Sequence, residues 1–383
     1  MRAHSIRLRN FRNHSDSTVE GLSGKINVLA GPNGAGKTSI LEGLSLATLT
    51  KSFTTYSDAV LIRSGETMLE VEANFESDLG VPHRVAVEIT LGPPIRKTIT
   101  ANSERLRSSA ELVGRAPVVV LTPDEKIITS GPPSERRRFL NMVLSQASRT
   151  YLEDELEYRR ALKQRNAILA DAKQQRRSLS YVQSHLAPWT ALVIKHGARI
   201  MRRRSSFTDE FRPRLLRAYA LLSEDREGPT LSYLPMGLED IVTSDFESLL
   251  TDESKKNEIE EIRRGTTLFG PHRDELVLNI NPKQSAKFYA SQGQHKTLLV
   301  AMKLAEFEYL KEAAGETPIL LLDDVFSELD ELRAHQLLDL AESGHFGQTF
   351  ITSTDRQRFR NKLDFSKENR MFIVESGHIQ ETV

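Results

Sequence analysis

Gly31, Pro32, Asn33, Gly34, Ala35, Gly36, Lys37 and Thr38 read GPNGAGKT, a glycine-rich run ending in Lys-Thr. This is the spacing G-x-x-x-x-G-K-[ST] with no adjustment. The chemistry it suits is phosphate binding. Gly34 and Gly36 let the backbone bend so that its N–H groups point at phosphate oxygens. Lys37 can reach β- and γ-phosphates, and the Thr38 hydroxyl can ligate Mg²⁺. Ser39 adds a further hydroxyl beside them. The other half of such a site is a carboxylate for the metal. PILLLDD at Pro318–Asp324 supplies Asp323 for Mg²⁺ and Asp324 to polarise an attacking water.

These groups need elements to hold them. INVLA at Ile26–Ala30 precedes the loop as an apolar strand, and TSILEGLSLATL follows as a helix that would add its partial positive charge. The apolar run before Asp323 suits a central parallel strand buried on both faces. Ligands of α/β sheets bind at the carboxyl ends of such strands. Lys37 and Asp323 stand 286 positions apart. The sheet must therefore be assembled from the two ends of the chain, around a large insertion.

The texture agrees. LEVEANF, HRVAVEITL and PVVVL read as strands before residue 125, and PILLLD, QTFITS and RMFIVES read as strands near the carboxyl end. Between Arg136 and Leu222 the only glycine is Gly197, and Leu, Ala, Arg, Gln and Glu dominate, which predicts long helices. The expected organisation is an α/β lobe from 1–125 and 265–383, interrupted by a helical lobe at 126–264.

Lys+Arg and Asp+Glu are both 52, but the balance is uneven. From Lys126 to Ala220 there are 20 Lys/Arg against 8 Asp/Glu. That basic block, including Arg202–Arg204, is a candidate face for nucleic-acid backbone, sequence-independent and salt-sensitive. Solvated helix faces and acid–arginine pairs within the block compete for the same arginines. The chain has no cysteine, which excludes disulfides and thiolate metal sites. It lacks any run of 18 apolar residues and any signal-peptide-like start, so the expectation is a cytoplasmic, nucleoid-associated protein with no membrane partner.

Further motifs sharpen the reading. Ser291, Gln292, Gly293 and Gln294 open an amphipathic helix, with Ser291 as its N-cap. SELD at Ser327–Asp330 opens another. In that order, phosphate loop, S-x-G-Q helix, LLLDD and SELD resemble the ABC-type ATPase heads shared by transporters and SMC proteins. IRLRNFRNH, PPSERRRFLN, LKQRNAIL, GPHRDEL, SQGQHKTL and PILLLDDVFSELD resemble the RecF family of bacterial gap-repair ATPases over essentially the whole chain.

The resemblance implies an ABC-type, SMC-head-like fold with an inserted helical arm, ATP and Mg²⁺ as ligands, and an ATP-dependent homodimer. Gly31–Thr38 and Asp323 would hold Mg-ATP in one chain. Ser291, Gly293 and Gln294 would close on it from the other, and Asp330 would lie at the seam. Thr354 occupies the place of the transporters' switch histidine. The partners implied are duplex and gapped DNA, RecR and RecO, with support of RecA loading.

Three departures stand out. The signature reads ASQGQ rather than LSGGQ, keeping Ser291 and the second glycine, Gly293. Asp324 replaces the transporters' Glu, a shorter arm that implies slow hydrolysis. No Gln precedes Gln146, so Thr122, Asp124 or Glu125 would stand in for the lid glutamine. A transport subunit would need that glutamine and the histidine. A tethering SMC head would need a longer coiled coil than 146–220 allows at about 1.5 Å per residue. In GPHRD, Arg273 is expected to pair with Asp274 or with backbone carbonyls, and the loop is expected in the motif-bearing lobe.

Overall fold

The computed structural model describes residues 1–55, 57–223, 228–238, 245–360, 362–365 and 368–382. The chain forms two compact units. The first comprises Met1–Lys126, Ala218–Glu224 and Leu299–Val383, and the second Ile127–Arg217 and Asp225–Leu298.

The first unit holds two six-stranded sheets. One is antiparallel and runs His14–Val19, Arg2–Phe11, Met68–Glu76, Pro82–Thr90, Arg96–Ala101, Glu104–Arg105. The alternation in LEVEANF and HRVAVEITL is what such a half-buried sheet requires. The other runs His378–Thr382, Arg370–Glu375, Ile26–Ala30, Thr349–Ser353, Ile319–Leu322, Val118–Leu121. Its four successive strand pairs from Arg370–Glu375 to Val118–Leu121 are parallel, and the His378–Thr382 edge is antiparallel. Ile26–Ala30 and Ile319–Leu322 are buried at every position, as their apolar runs predict, with Asn27 the one polar residue among them.

The helix Lys37–Leu49 packs between these sheets' side chains in one shared core. It buries nearly its whole circumference, so its apolar residues are not confined to one stripe. A Cβ on Gly43 would stand 2.5 Å from Leu8 and 3.0 Å from Ile6. Glycine there is what allows the helix to lie so close to the antiparallel sheet.

The second unit holds the helices Pro133–Ala147, Arg149–Gln175 and Phe246–Arg264, most of the 44-residue helix Leu179–Leu222, and a three-stranded sheet. The long helices match the glycine-poor texture. Segment 265–298, including the strand Glu275–Asn281, packs here, and not with the first unit as its strand-like texture suggested. The reason lies in its partners: Glu275–Asn281 pairs with Thr230–Leu234 and Gln284–Ser285, both in the second unit. Among the described residues two ion pairs are fully buried in this unit. Arg165 meets Glu261 at 2.6 Å and Arg204 meets Asp274 at 2.7 Å. Among the described residues no helix is long and apolar enough to cross a membrane.

Candidate functional site

The sheet register sets the stage. Ser353 pairs with Ala30, and Leu322 pairs with both Ile351 and Leu121. The carboxyl ends of these strands therefore share one edge, where Gly31, Asp323 and Thr352 emerge together.

The loop between Ala30 and Lys37 is shaped by one glycine above all. Gly36 has φ 108° and ψ 9°, and a Cβ there would meet His14 Nε2 at 2.5 Å. Conformation and space both demand glycine. His14 Nε2–H donates to the Gly36 carbonyl at 3.1 Å, and Asn13 Nδ2 donates to the Gly34 carbonyl at 3.2 Å. These two residues brace the loop from outside. Burial pushes the His14 imidazole below its ordinary pKa, while its contacts with the Gly36 and Gly377 carbonyls draw it back.

Lys37 is almost wholly buried. Its Nζ donates to the carbonyls of Gly31 and Pro32 at 2.9 and 2.8 Å. Burial lowers its ammonium pKa, against the pull of the Asp324 and Asp323 carboxylates. Beside it, Asp323 Oδ1 accepts from Thr38 Oγ1 and from Thr352 Oγ1, each at 2.9 Å. Burial raises the Asp323 pKa and the Asp324 charge adds to that, while the two hydroxyls draw it back. Thr352 Oγ1 also accepts from the Asp324 backbone N–H at 2.8 Å, so one hydroxyl ties the Asp323 carboxylate to the main chain of Asp324. Asp324 itself is exposed and left-handed, with φ 51°.

Asn33, Gly34, Gly36, Lys37, Thr38, Ser39 and Asp324 line a cavity of 190 Å³ together with Asn13 and Thr352. The glycine-rich motif and the double aspartate foretell the first seven. Asn13 lies in IRLRNFRNH, which carries the family resemblance but no phosphate-binding spacing, and Thr352 lies in a strand with no motif of its own. A signal for Thr352 exists only once Thr349–Ser353 is known to lie beside the Asp323 strand. Among the described residues no three His, Cys, Asp or Glu side chains form a metal-ligating cluster. A hard cation held by one carboxylate, one hydroxyl and phosphate oxygens is the set that Asp323 and Thr38 fit.

The family model for the RecF/RecN/SMC N terminal domain matches residues 3–380. Curated proteins called "DNA replication and repair protein RecF" are similar over nearly full length. The one from Salinibacter ruber is 39% identical, covering 94% of this chain and 87% of its own. That from Chloroherpeton thalassium is 39% identical, covering 94% and 96%. The chain belongs to the RecF family. A solved structure of the recombination mediator protein RecF-ATPrS in the RecFOR pathway superposes with TM-score 0.88 at 26% identity, covering 100% of this chain and 98% of that one. An Smc head domain from Pyrococcus furiosus, at TM-score 0.54 and 14% identity over 99% and 95% of the two chains, shares the fold.

In this RecF-family chain, the S-x-G-Q residues belong to the second unit and open the helix Gln292–Ala314. Ser291 N–H donates to Gln294 Oε1 at 2.7 Å, and Gln294 N–H donates to Ser291 Oγ at 3.2 Å. This is a reciprocal capping box. Ser291 is exposed, and Gly293 and Gln294 are partly so. Asp330 caps the helix Glu331–Glu342, accepting from Arg333 N–H at 3.0 Å, and that hydrogen bond holds its carboxyl below the ordinary pKa. Thr354 is exposed just past the strand Thr349–Ser353. Of the three stand-ins for a lid glutamine, Glu125 accepts from buried Lys303 at 2.7 Å and from the Thr122 amide at 3.3 Å.

The GPHRD loop lies in the second unit, and its pairing differs from the expectation. Asp274 is fully buried and takes Arg204 Nη1 at 2.7 Å, the Met236 amide at 2.9 Å and the Tyr233 hydroxyl. Arg204 from the basic block reaches Asp274, whereas the adjacent Arg273 is exposed. Tyr158 O–H donates to His272 Nδ1 at 2.6 Å, and His272 Nε2–H donates to the Thr267 carbonyl at 3.3 Å. Burial pushes the His272 imidazole down to about 4. The basic block is thus divided: Arg136, Arg165 and Arg204 are buried and paired, while Arg202 is exposed.

Proposed function

We propose that this chain is an ATP-dependent DNA-binding ATPase of recombinational and replication-gap repair. ATP drives two chains head to head on duplex or gapped DNA, and slow hydrolysis releases them. The observation that carries the reading is the contact of Thr38 with Asp323 beside buried Lys37, which brings the two halves of a nucleotide site together.

On this reading the Gly31–Ser39 backbone N–H groups and the helix amino end receive the phosphates. Lys37 exchanges the Gly31 and Pro32 carbonyls for phosphate oxygens. Thr38 and Asp323 would hold Mg²⁺, which supplies charge neutralisation at the β- and γ-phosphates. Thr352 keeps the Asp323 carboxylate oriented, and Asp324, on the cavity wall, accepts the proton of an attacking water. Its arm is shorter than a glutamate's, which supports slow hydrolysis by a weak ATPase that DNA stimulates. Ser291, Gly293 and Gln294 of a second chain close on the γ-phosphate, with Asp330 at the seam and Thr354 in the place of a switch histidine.

The ATPase lobe then draws on 1–125 and 299–383, and the signature residues at 291–294 are contributed by the second unit, which holds the arm. RecR and RecO as partners, support of RecA loading and a cytoplasmic, nucleoid-associated location rest on the RecF-family resemblance. The test is equilibrium ATP binding with Mg²⁺ to wild type and Lys37→Ala, followed by ATP-dependent dimerisation with and without duplex DNA at two salt concentrations. Affinity unchanged by Lys37→Ala sinks the nucleotide site, and ATP-independent association sinks the clamp.

A further inference from the structure

A second cavity, of 390 Å³, lies wholly within the second unit. Arg273 and Arg137 line it, together with Ser134, Gly237 and Glu275. Among the described residues one carboxylate lines it, and that one is already taken. Glu275 accepts from Arg136 Nε and Nη2 at 2.8 and 3.0 Å. Among the described residues the cavity is therefore left with two guanidiniums and no unpaired acid.

Their circumstances differ in a useful way. Arg137 is half-buried and fixed by one hydrogen bond, Nη1 to the Asp274 carbonyl at 2.7 Å. Burial, with Arg204 and Arg136 close by, lowers its pKa, an unfavourable environment that a bound anion relieves. Arg273 is exposed, and among the described residues its side chain makes no hydrogen bond or ion pair. Pro132 stands at the N-cap of the 15-residue helix Pro133–Ala147 without a side-chain cap, so this end also presents its partial positive charge to the cavity. The first-turn acid, Glu135, is not in the lining and has Arg138 at 3.8 Å.

We propose that this cavity is a phosphate-binding site that takes a phosphodiester of the duplex DNA backbone, with Arg273 as the mobile cation and Arg137 as the fixed one. The proposal rests on the DNA-binding reading above and names contact residues for it. Guanidinium forks suit tetrahedral phosphate oxygens better than point charges do. The volume exceeds what a lone phosphate ion fills and accommodates a phosphodiester with its flanking sugars. Such a contact carries no base information, so it adds affinity uniformly across sequences.

The experiment measures duplex affinity against salt for wild type, Arg273→Gln, Arg273→Lys and a control, Arg263→Gln. Arg263 is an exposed arginine of the same unit, outside this lining and paired with Glu260, and carries the same charge change. Arg273→Gln is expected to reduce the log–log salt slope by about 0.9 and weaken binding several-fold at low salt. Arg273→Lys is expected to recover most of the slope, and Arg263→Gln to change little. A parallel arm follows thermal stabilisation by inorganic phosphate. If Arg273→Gln and Arg263→Gln behave alike, the site is wrong. If phosphate stabilisation is lost in Arg273→Gln while DNA binding is untouched, the cavity takes free phosphate and the DNA assignment is overturned. Wild type that shows no salt-dependent duplex binding overturns the DNA-binding reading itself, a result distinct from both.

Discussion

Thr38 and Asp323, 285 positions apart in the chain, meet at 2.9 Å. The hydroxyl comes from the first turn of a helix and the carboxylate from the end of a parallel strand. Removing that carboxylate's charge tests what the pair is for. Asp323→Asn keeps an acceptor for Thr38 and Thr352, so the fold should be spared. ATP affinity measured with Mg²⁺ should fall, and the difference between assays with and without Mg²⁺ should largely vanish. Charge-assisted contacts of this kind are worth roughly 1.5–3 kcal/mol. Retention of a wild-type Mg²⁺ effect in Asp323→Asn would falsify the metal assignment.

Arg204 and Arg202 are near neighbours with opposite fates. Arg204 is buried against Asp274, Asn141, Tyr151 and the Pro271 carbonyl, while Arg202 is exposed. Arg204→Ala strands a buried carboxylate and should cost about 3–5 kcal/mol of stability. Arg202→Ala should stay within about 0.5 kcal/mol. Denaturant unfolding of the two variants checks this. Equal stabilities would mean that the Arg204–Asp274 pair does not form.

The His272 imidazole lies between Tyr158 and the Thr267 carbonyl, with its pKa pushed down from 6.5 to about 4 by burial. A depressed histidine contributes stability that is fully present above its unfolded pKa and is lost as pH falls through the folded value. Wild type should therefore lose on the order of 3 kcal/mol between pH 6.5 and 4 from this group. His272→Gln should be less stable at neutral pH, but flatter across that window. A variant with the same acid-side slope as wild type would remove His272 as its source.

The parts of this site that are legible in the chain are those whose chemistry is local. The glycines and Lys37 announce themselves by spacing, and INVLA and PILLLD by continuous apolarity. The helix from Gln292 to Ala314 is readable from its cap and its apolar residues. Asn13, His14 and Thr352 are not readable in this way. Their roles depend on which strand lies beside which, a property of sheet order that no window of residues contains. Arg165 and Arg204 fail for a related reason. A charge count registers arginines but not the distant Glu261 and Asp274 that bury them. Segment 265–298 looks like part of the first lobe because strand texture does not name the sheet it joins.

The most direct test of the central claim, that ATP is enclosed by two chains, is a mixing experiment between Ser291→Arg and Lys37→Ala. The arginine obstructs a helix amino end that should serve only the partner's γ-phosphate. Ser291→Arg alone should bind ATP as a monomer near wild-type affinity, yet fail to dimerise or hydrolyse. In the mixed dimer, one pocket combines the intact phosphate loop of the Ser291→Arg chain with the intact signature of the Lys37→Ala chain, while the other carries both defects. The account predicts partial recovery of ATP-driven dimerisation and ATPase on mixing. No recovery, or loss of ATP affinity in monomeric Ser291→Arg, would contradict it.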